Sequence, residues 1–152
     1  MLNEKIVDEV MDVVADVLEM DIDDIDLESR IVADLGADSL DIVDLSFSLG
    51  KQLNIKMPQK TVIMHAEEIF GDTHNIVESE KLTEMGAELL RLGPNQYSED
   101  EVHQGKTLIE VFADTKVKHW VNLSQAIKES GLTGDELIQQ RVQAVFSASE
   151  AA

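Results

Sequence analysis

Apolar residues in the first third of the chain recur at three- and four-residue steps, and this spacing predicts two amphipathic helices. In the first, from about Leu2 to Glu19, one stripe is made by Ile6, Val10, Val13, Val14, Val17 and Leu18. Glu4, Asp8, Glu9, Asp12, Asp16 and Glu19 take the remaining arc. The second, from Ser39 to about Leu53, has Ile42, Leu45, Leu49 and Leu53 as its buried stripe, with Leu40, Asp41, Val43, Asp44 and Phe47 on the other side. Beyond Pro58 the pattern predicts a helix over Gln59 to Phe70, stopped at Gly71. Asn75 and Glu78 have the spacing of a capping box for a further helix, whose Leu82, Met85, Leu89 and Leu92 stripe ends at Gly93-Pro94. Two more boxes occur at Ser98 with Glu101 and at Thr107 with Glu110, the second opening a short helix through Phe112. Thr133 and Glu136 open a C-terminal helix with an apolar face of Leu137, Ile138, Val142, Val145 and Phe146. That face has to be covered, by the chain's own bundle in the first instance, otherwise by a partner or a second copy. The Ser-Ala-Ser-Glu-Ala-Ala end is expected to fray.

Composition narrows the class. The 152 residues, 43% of them hydrophobic, are enough for one compact domain, and low aromatic content with two prolines favours helices. The formal net charge of -19 is unevenly placed: residues 1–50 hold fifteen Asp or Glu and two Lys or Arg. Such a surface repels nucleic acid and anionic membranes and attracts basic proteins. No apolar run is long enough to span a bilayer, and no signal-peptide pattern opens the chain, so a cytoplasmic protein is expected. Cysteine is absent, which removes disulfides, a thiol nucleophile and thiolate metal sites. The acidic stretch Asp21 to Glu28 fails the calcium-loop pattern at Ile25 and Asp26, leaving loose divalent-ion binding as the expectation there.

The chemistry concentrates at Leu35-Gly36-Ala37-Asp38-Ser39-Leu40-Asp41. Gly36 takes backbone angles closed to other residues, and Asp38 is a favoured helix cap. Ser39 then falls on a first helical turn, where unpaired amides and the helix dipole favour an anionic group and a hydroxyl is available for esterification.

This stretch resembles the attachment motif of acyl carrier proteins. The resemblance implies that Ser39 carries phosphopantetheine through a phosphodiester, installed from coenzyme A by a phosphopantetheinyl transferase with magnesium. The arm would supply the thiol that the chain lacks. It also implies an all-α fold, an antiparallel four-helix bundle in which Ile25, Leu27, Ile31, Val32 and Leu35 pin a long loop between the first two helices. Asp38, Leu40, Asp41, Val43, Asp44 and Phe47 match the helix that synthases and acyltransferases with basic surfaces recognise. Further along, Gly50-Lys51 replaces the usual acidic pair. Phe47, Lys51 and Ile55-Lys56-Met57-Pro58 look like the specialised carriers that supply long acyl chains to lipid A, and Gly105-Lys106 is faintly similar to them. Asn122-Leu123-Ser124-Gln125-Ala126-Ile127 resembles the last carrier helix.

The expected organisation is one carrier domain over 1–152. Residues 1–58 give the first two family-like helices, 59–116 an inserted helical region, 117–131 the last family-like helix and 132–152 an extra C-terminal helix. The function implied is that of a monomeric carrier of acyl thioesters in fatty-acid, lipid or polyketide-type synthesis. The alternative is an acidic protein-binding module on the same fold, and a peptidyl carrier fits the acidity less well. An enzyme is not expected. His65, His74, His103 and His119 form no zinc or di-iron pattern, and the pairs Asp100/His103 and His65/Glu68 read as solvated surface. Ser39 has no nucleophile-elbow context, and Trp120 and Tyr97 read as core or rim.

Overall fold

The computed structural model describes residues 2–151. Its elements are α1 (Glu4–Leu18), α2 (Ser39–Leu53), α3 (Val62–Phe70), β1 (Val77–Glu78), β2 (Lys81–Leu82), α4 (Glu84–Leu92), α5 (Leu108–Asp114), α6 (Val117–Ser130) and α7 (Gly134–Ala151). One turn of 3-10 helix, Ile22–Asp24, lies in the loop after α1. The fold is the expected all-α bundle with extra helices. Around the first core pack α1, α2 and α6, burying Ile6, Val10 and Val14 against Leu45, Leu49, Val117 and Val121. A second core gathers Val62, Ala66 and Phe70 of α3, Leu89 and Leu90 of α4, and Ile138 and Val142 of α7. Val145 and Phe146 pack onto this second core, so the chain itself covers the apolar face of α7.

Several boundaries differ from the sequence expectation. Leu2 stays outside α1 because the Asn3 side chain accepts the Lys5 and Ile6 amides and sets the start. On α2, Ile42 is only partly buried, and Leu45, Leu49 and Leu53 make the stripe. α3 begins at Val62 rather than Gln59. Thr61 caps it, and the Gln59 and Lys60 amides donate instead to Asp135. Asn75 and Glu78 do not open a helix. Residues 77–82 form a hairpin whose central Ser79 and Glu80 both have positive φ, and Thr83 caps α4 while its hydroxyl donates to the Asn75 carbonyl. Leu92, expected in the α4 stripe, is exposed. Ser98 and Glu101 make their reciprocal bonds without a helix following. α5 runs to Asp114, past Phe112, and α7 continues through the expected frayed end to Ala151, with Ala152 outside the described residues.

The histidine expectation is also corrected. His65 and His119 are buried, and each meets a carboxylate distant in sequence. His65 Nε2 lies 2.8 Å from Asp135 Oδ1, and the Glu68 it was matched with pairs with Lys60 instead. His119 Nδ1 accepts the Lys116 amide at 2.8 Å, which leaves Nε2–H to donate to Glu101 at 3.0 Å. Burial lowers the His119 pKa against the pull of Glu101, in keeping with a neutral ring so arranged. Burial raises the Glu101 pKa, but the Ser98 amide, His119 and Lys116 together bring it well below the carboxylate range. Tyr97 stacks on His119 at 4.3 Å between ring centroids, and burial pushes its hydroxyl up to about 12.

Two polar seams fasten the inserted region to the rest. Lys116 and Lys118 bridge Glu28 of the first loop to Glu101, and Asp114 joins Arg30 to Lys106. At the other seam Gly134 donates to the Lys56 carbonyl at 2.7 Å. A Cβ on Gly134 would sit 2.4 Å from Pro58 Cδ, so only glycine admits this approach. Asp135 follows at once and ties α7 to the start of α3. Burial raises its pKa, but the Gln59 and Lys60 amides and His65 outweigh burial and hold it below the ordinary 3.8. A carboxyl depressed in this way stabilises the fold fully above its unfolded value and loses that contribution as pH falls through the folded one. We therefore expect Asp135→Asn to lower the thermal midpoint at pH 7 by about 2–4 °C. The gap from the wild type should narrow as melting is followed below pH 4.

Candidate functional site

Ser39 is delivered by a braced loop. Ile25 and Ile31 are buried, and Leu27, Val32 and Leu35 pack partly buried against the first core. Residues 30–36 curl into a turn in which Asp34 and Leu35 donate to the Arg30 carbonyl and Gly36 to that of Val32. The Arg30 guanidinium grips Asp34 at 2.8 and 3.1 Å and reaches Asp114 at 3.1 Å. Gly36 ends the turn at φ +77°, a conformation that admits few other residues. Ala37 is then buried, and its amide donates to the Ile31 carbonyl. Arg30 and Asp34 were not singled out in the sequence, although their i,i+4 spacing and opposite charge were visible there.

After Ala37 the chain extends for one residue, Asp38, and enters α2. The Asp41 amide donates to Asp38 Oδ1 at 2.9 Å, and the Asp38 amide donates to Asp41 Oδ2 at 3.0 Å. This reciprocal box satisfies two of the amides at the helix start and leaves those of Ser39 and Leu40 directed outward. Ser39 is exposed. Both carboxylates also lie at the positive end of the helix dipole, where negative charge steadies the start of the helix.

One face of α2 then runs outward from Ser39. Leu40 is 77% exposed, Val43 65% and Phe47 72%, at the steps of a helical stripe. Asp38 and Asp44 are exposed beside them, Asp41 is partly so, and Lys51 continues the helix as an exposed cation. The structure thus brings Asp38, Leu40, Asp41, Val43, Asp44 and Phe47 together around Ser39. Three large apolar side chains in water within an acidic frame mark a surface suited to docking.

In the loop after α1, two acids serve the fold. Asp21 caps the Asp23 amide and Asp26 that of Glu28, each closing its own turn. Among the described residues no three His, Asp or Glu gather as a metal site, and no helix is long and apolar enough to cross a membrane.

The Asp38 cap gives a direct check on this geometry. Asp38→Ala is expected to cost about 1 kcal/mol of stability in chemical denaturation, and Asp38→Asn, which keeps an accepting oxygen, only a few tenths. Equal losses for both would show that charge, not capping, holds the start of α2.

Comparison with known proteins places the same stretch in context. Residues 8–67 match the family described as phosphopantetheine attachment site. The chain is 39% identical over 74 residues to an acyl carrier protein of Clostridium acetobutylicum, an alignment covering 47% of this chain and 91% of that one. It is 37% identical over 78 residues to an acyl carrier protein of Wolinella succinogenes, covering 50% and 97%. Over 51 residues it is 47% identical to acyl carrier protein AcpXL of Mesorhizobium japonicum, covering 34% of this chain and 55% of the relative. No solved structure matches the chain.

Proposed function

The chain belongs to the acyl carrier protein family, and on that premise we propose that Ser39 is the residue to which its phosphopantetheine is joined. The family carries this group covalently, and the chain is accordingly a carrier and not an enzyme. The observation that carries the assignment is the position of Ser39: an exposed hydroxyl on the first turn of α2, inside Leu35-Gly36-Ala37-Asp38-Ser39-Leu40-Asp41 and held by a braced loop. A free phosphate would find the outward amides of Ser39 and Leu40 but also two adjacent carboxylates. A covalent phosphodiester overcomes that repulsion, and the residues present fit such a link.

Once joined, phosphopantetheine supplies the thiol on which an acyl chain is held as a thioester. The chain's own residues supply address and rigidity. Asp38 and Asp41 fix the start of α2, and Leu40, Val43, Asp44 and Phe47 offer the surface on which a phosphopantetheinyl transferase and then basic synthases or acyltransferases dock. Docking a recognised protein turns a dilute encounter into a tethered reaction. The pathway we propose is fatty-acid, lipid or polyketide-type synthesis. Exposed Phe47 and Lys51, with the exit Ile55-Lys56-Met57-Pro58, support the long-chain, lipid A type of carrier. We take the chain as one cytoplasmic, monomeric carrier domain, with 59–116 inserted between the second and last carrier helices and 132–152 appended.

Because the chain has no cysteine, thiol titration of the unfolded protein reads the arm alone. After incubation with coenzyme A, magnesium and a broad-specificity phosphopantetheinyl transferase, one thiol per chain should appear, and none in Ser39→Ala. A thiol that persists in Ser39→Ala would place the arm elsewhere. None in the wild type with several transferases would favour the protein-binding module.

A further inference from the structure

His119, the third residue of α6, is fully buried, and its ring makes two bonds. Nδ1 accepts the Lys116 amide and closes the start of α6, as Glu or Gln commonly does at this position. Nε2–H donates to Glu101. Together the two bonds require a neutral ring in one tautomer. A proton added at Nδ1 would set two N–H donors against each other and put a charge where water does not reach.

The charges around the ring do not favour that proton. From its own helix, Lys116 and Lys118 reach the same carboxylate, 3.1 and 3.6 Å from Glu101 Oε2. From the segment before α5, Glu101 pulls the other way, but it also accepts the Ser98 amide. From the segment after α4, Tyr97 lies over the ring with its hydroxyl turned to Thr115. From the first loop, Glu28 pairs with the two lysines, and Arg30 with Asp34 and Asp114. Burial, with Lys118 and Lys116 behind it, lowers the pKa of the ring against the pull of Glu101.

What the start of α6 holds is the loop that leads to Ser39. The Val117 amide donates to the Ser29 carbonyl at 2.9 Å, the Lys118 amide to Leu27 at 3.0 Å, and the Ile31 amide to Thr115 at 3.1 Å. An opening that parts these bonds wets His119 and returns it to the ordinary value of about 6.5. The open form then takes up a proton that the closed form refuses. The advantage of the closed form is complete above that value and is lost as pH falls from there to the lowered one.

We propose that the start of α6 is a proton-sensitive clasp, which releases residues 27–31 of the first loop when His119 is protonated. Its bearing on presentation of the arm rests on Ser39 as the attachment residue; the clasp itself does not. Protection of the Ile31, Val117 and Lys118 amides against hydrogen exchange, corrected for intrinsic rates, should fall about tenfold between pH 7.0 and 5.5. In His119→Gln, which keeps an acceptor and a donor but binds no proton, it should stay constant. Relief of repulsion among the carboxylates is common to both proteins and cancels in the comparison. Constant protection in the wild type, or an equal fall in a folded His119→Gln, overturns the inference. If circular dichroism shows that variant unfolded, the His119 ring signals of the wild type decide. Loss of protection in step with protonation of the ring supports the clasp, and protonation with the three amides still protected overturns it. Arm transfer has no part in the measurement, so a failed Ser39 assignment and a failed clasp are told apart.

Discussion

The backbone of Ile31 is the constraint on which the rest of this structure depends. Its side chain is almost fully buried, its amide donates to Thr115 and its carbonyl accepts from Ala37. The first loop meets there both its own approach to α2 and the distant end of the inserted region. A loop with so few regular bonds would otherwise sample many conformations, at a cost of 1–2 kcal/mol for each residue fixed. Burial of Ile25 and Ile31, the Arg30–Asp34 clamp and Gly36 reduce that freedom just where Ser39 is presented.

The second core follows from the same logic. Helices α3, α4 and α7 are amphipathic and cannot stand alone, so they bury their stripes on one another around Phe70 and Ile138. They meet the carrier part through Leu137 of α7 against Leu123 and Ile127 of α6, through the Gly134–Lys56 bond, and through Glu101 between His119, Lys116 and Lys118. In a chain with twelve cations, seating four of them at this junction spends them on internal pairing. The first third keeps most of its negative charge, and on our proposal it is the part that partners meet.

Much of this was legible in the sequence because it is local. The stripes of α1 and α2, the Thr107 and Thr133 boxes and the Asp38 cap all rest on residues within one or two turns. The hairpin at 77–82 was not legible. Its turn residues are Ser79 and Glu80 rather than an Asn-Gly pair, and the bonds that fix it come from Gly105 and Lys106. Likewise, His65 and His119 looked scattered because their carboxylates lie 70 and 18 residues away. The start of α3 was missed for the same reason, since it is set where Asp135, far along the chain, holds the Gln59 and Lys60 amides ahead of the Thr61 cap. At the site, Ser39 and its flanking acids were readable, whereas the Arg30 brace depends on where Asp114 comes to rest.

Local sequence thus specifies the turn that begins α2 at Ser39, and long-range pairing braces it. A carrier needs both, because its partners recognise a surface while their chemistry takes place at the end of a tether. The most direct measurement of this account is acyl loading of the arm-bearing protein with a fatty acid, ATP and an acyl-carrier synthetase, followed by neutral hydroxylamine. The account predicts one acyl group per chain, released by hydroxylamine as a thioester is, and none on Ser39→Ala. An acyl group that resists hydroxylamine, or that forms equally on Ser39→Ala, would contradict it.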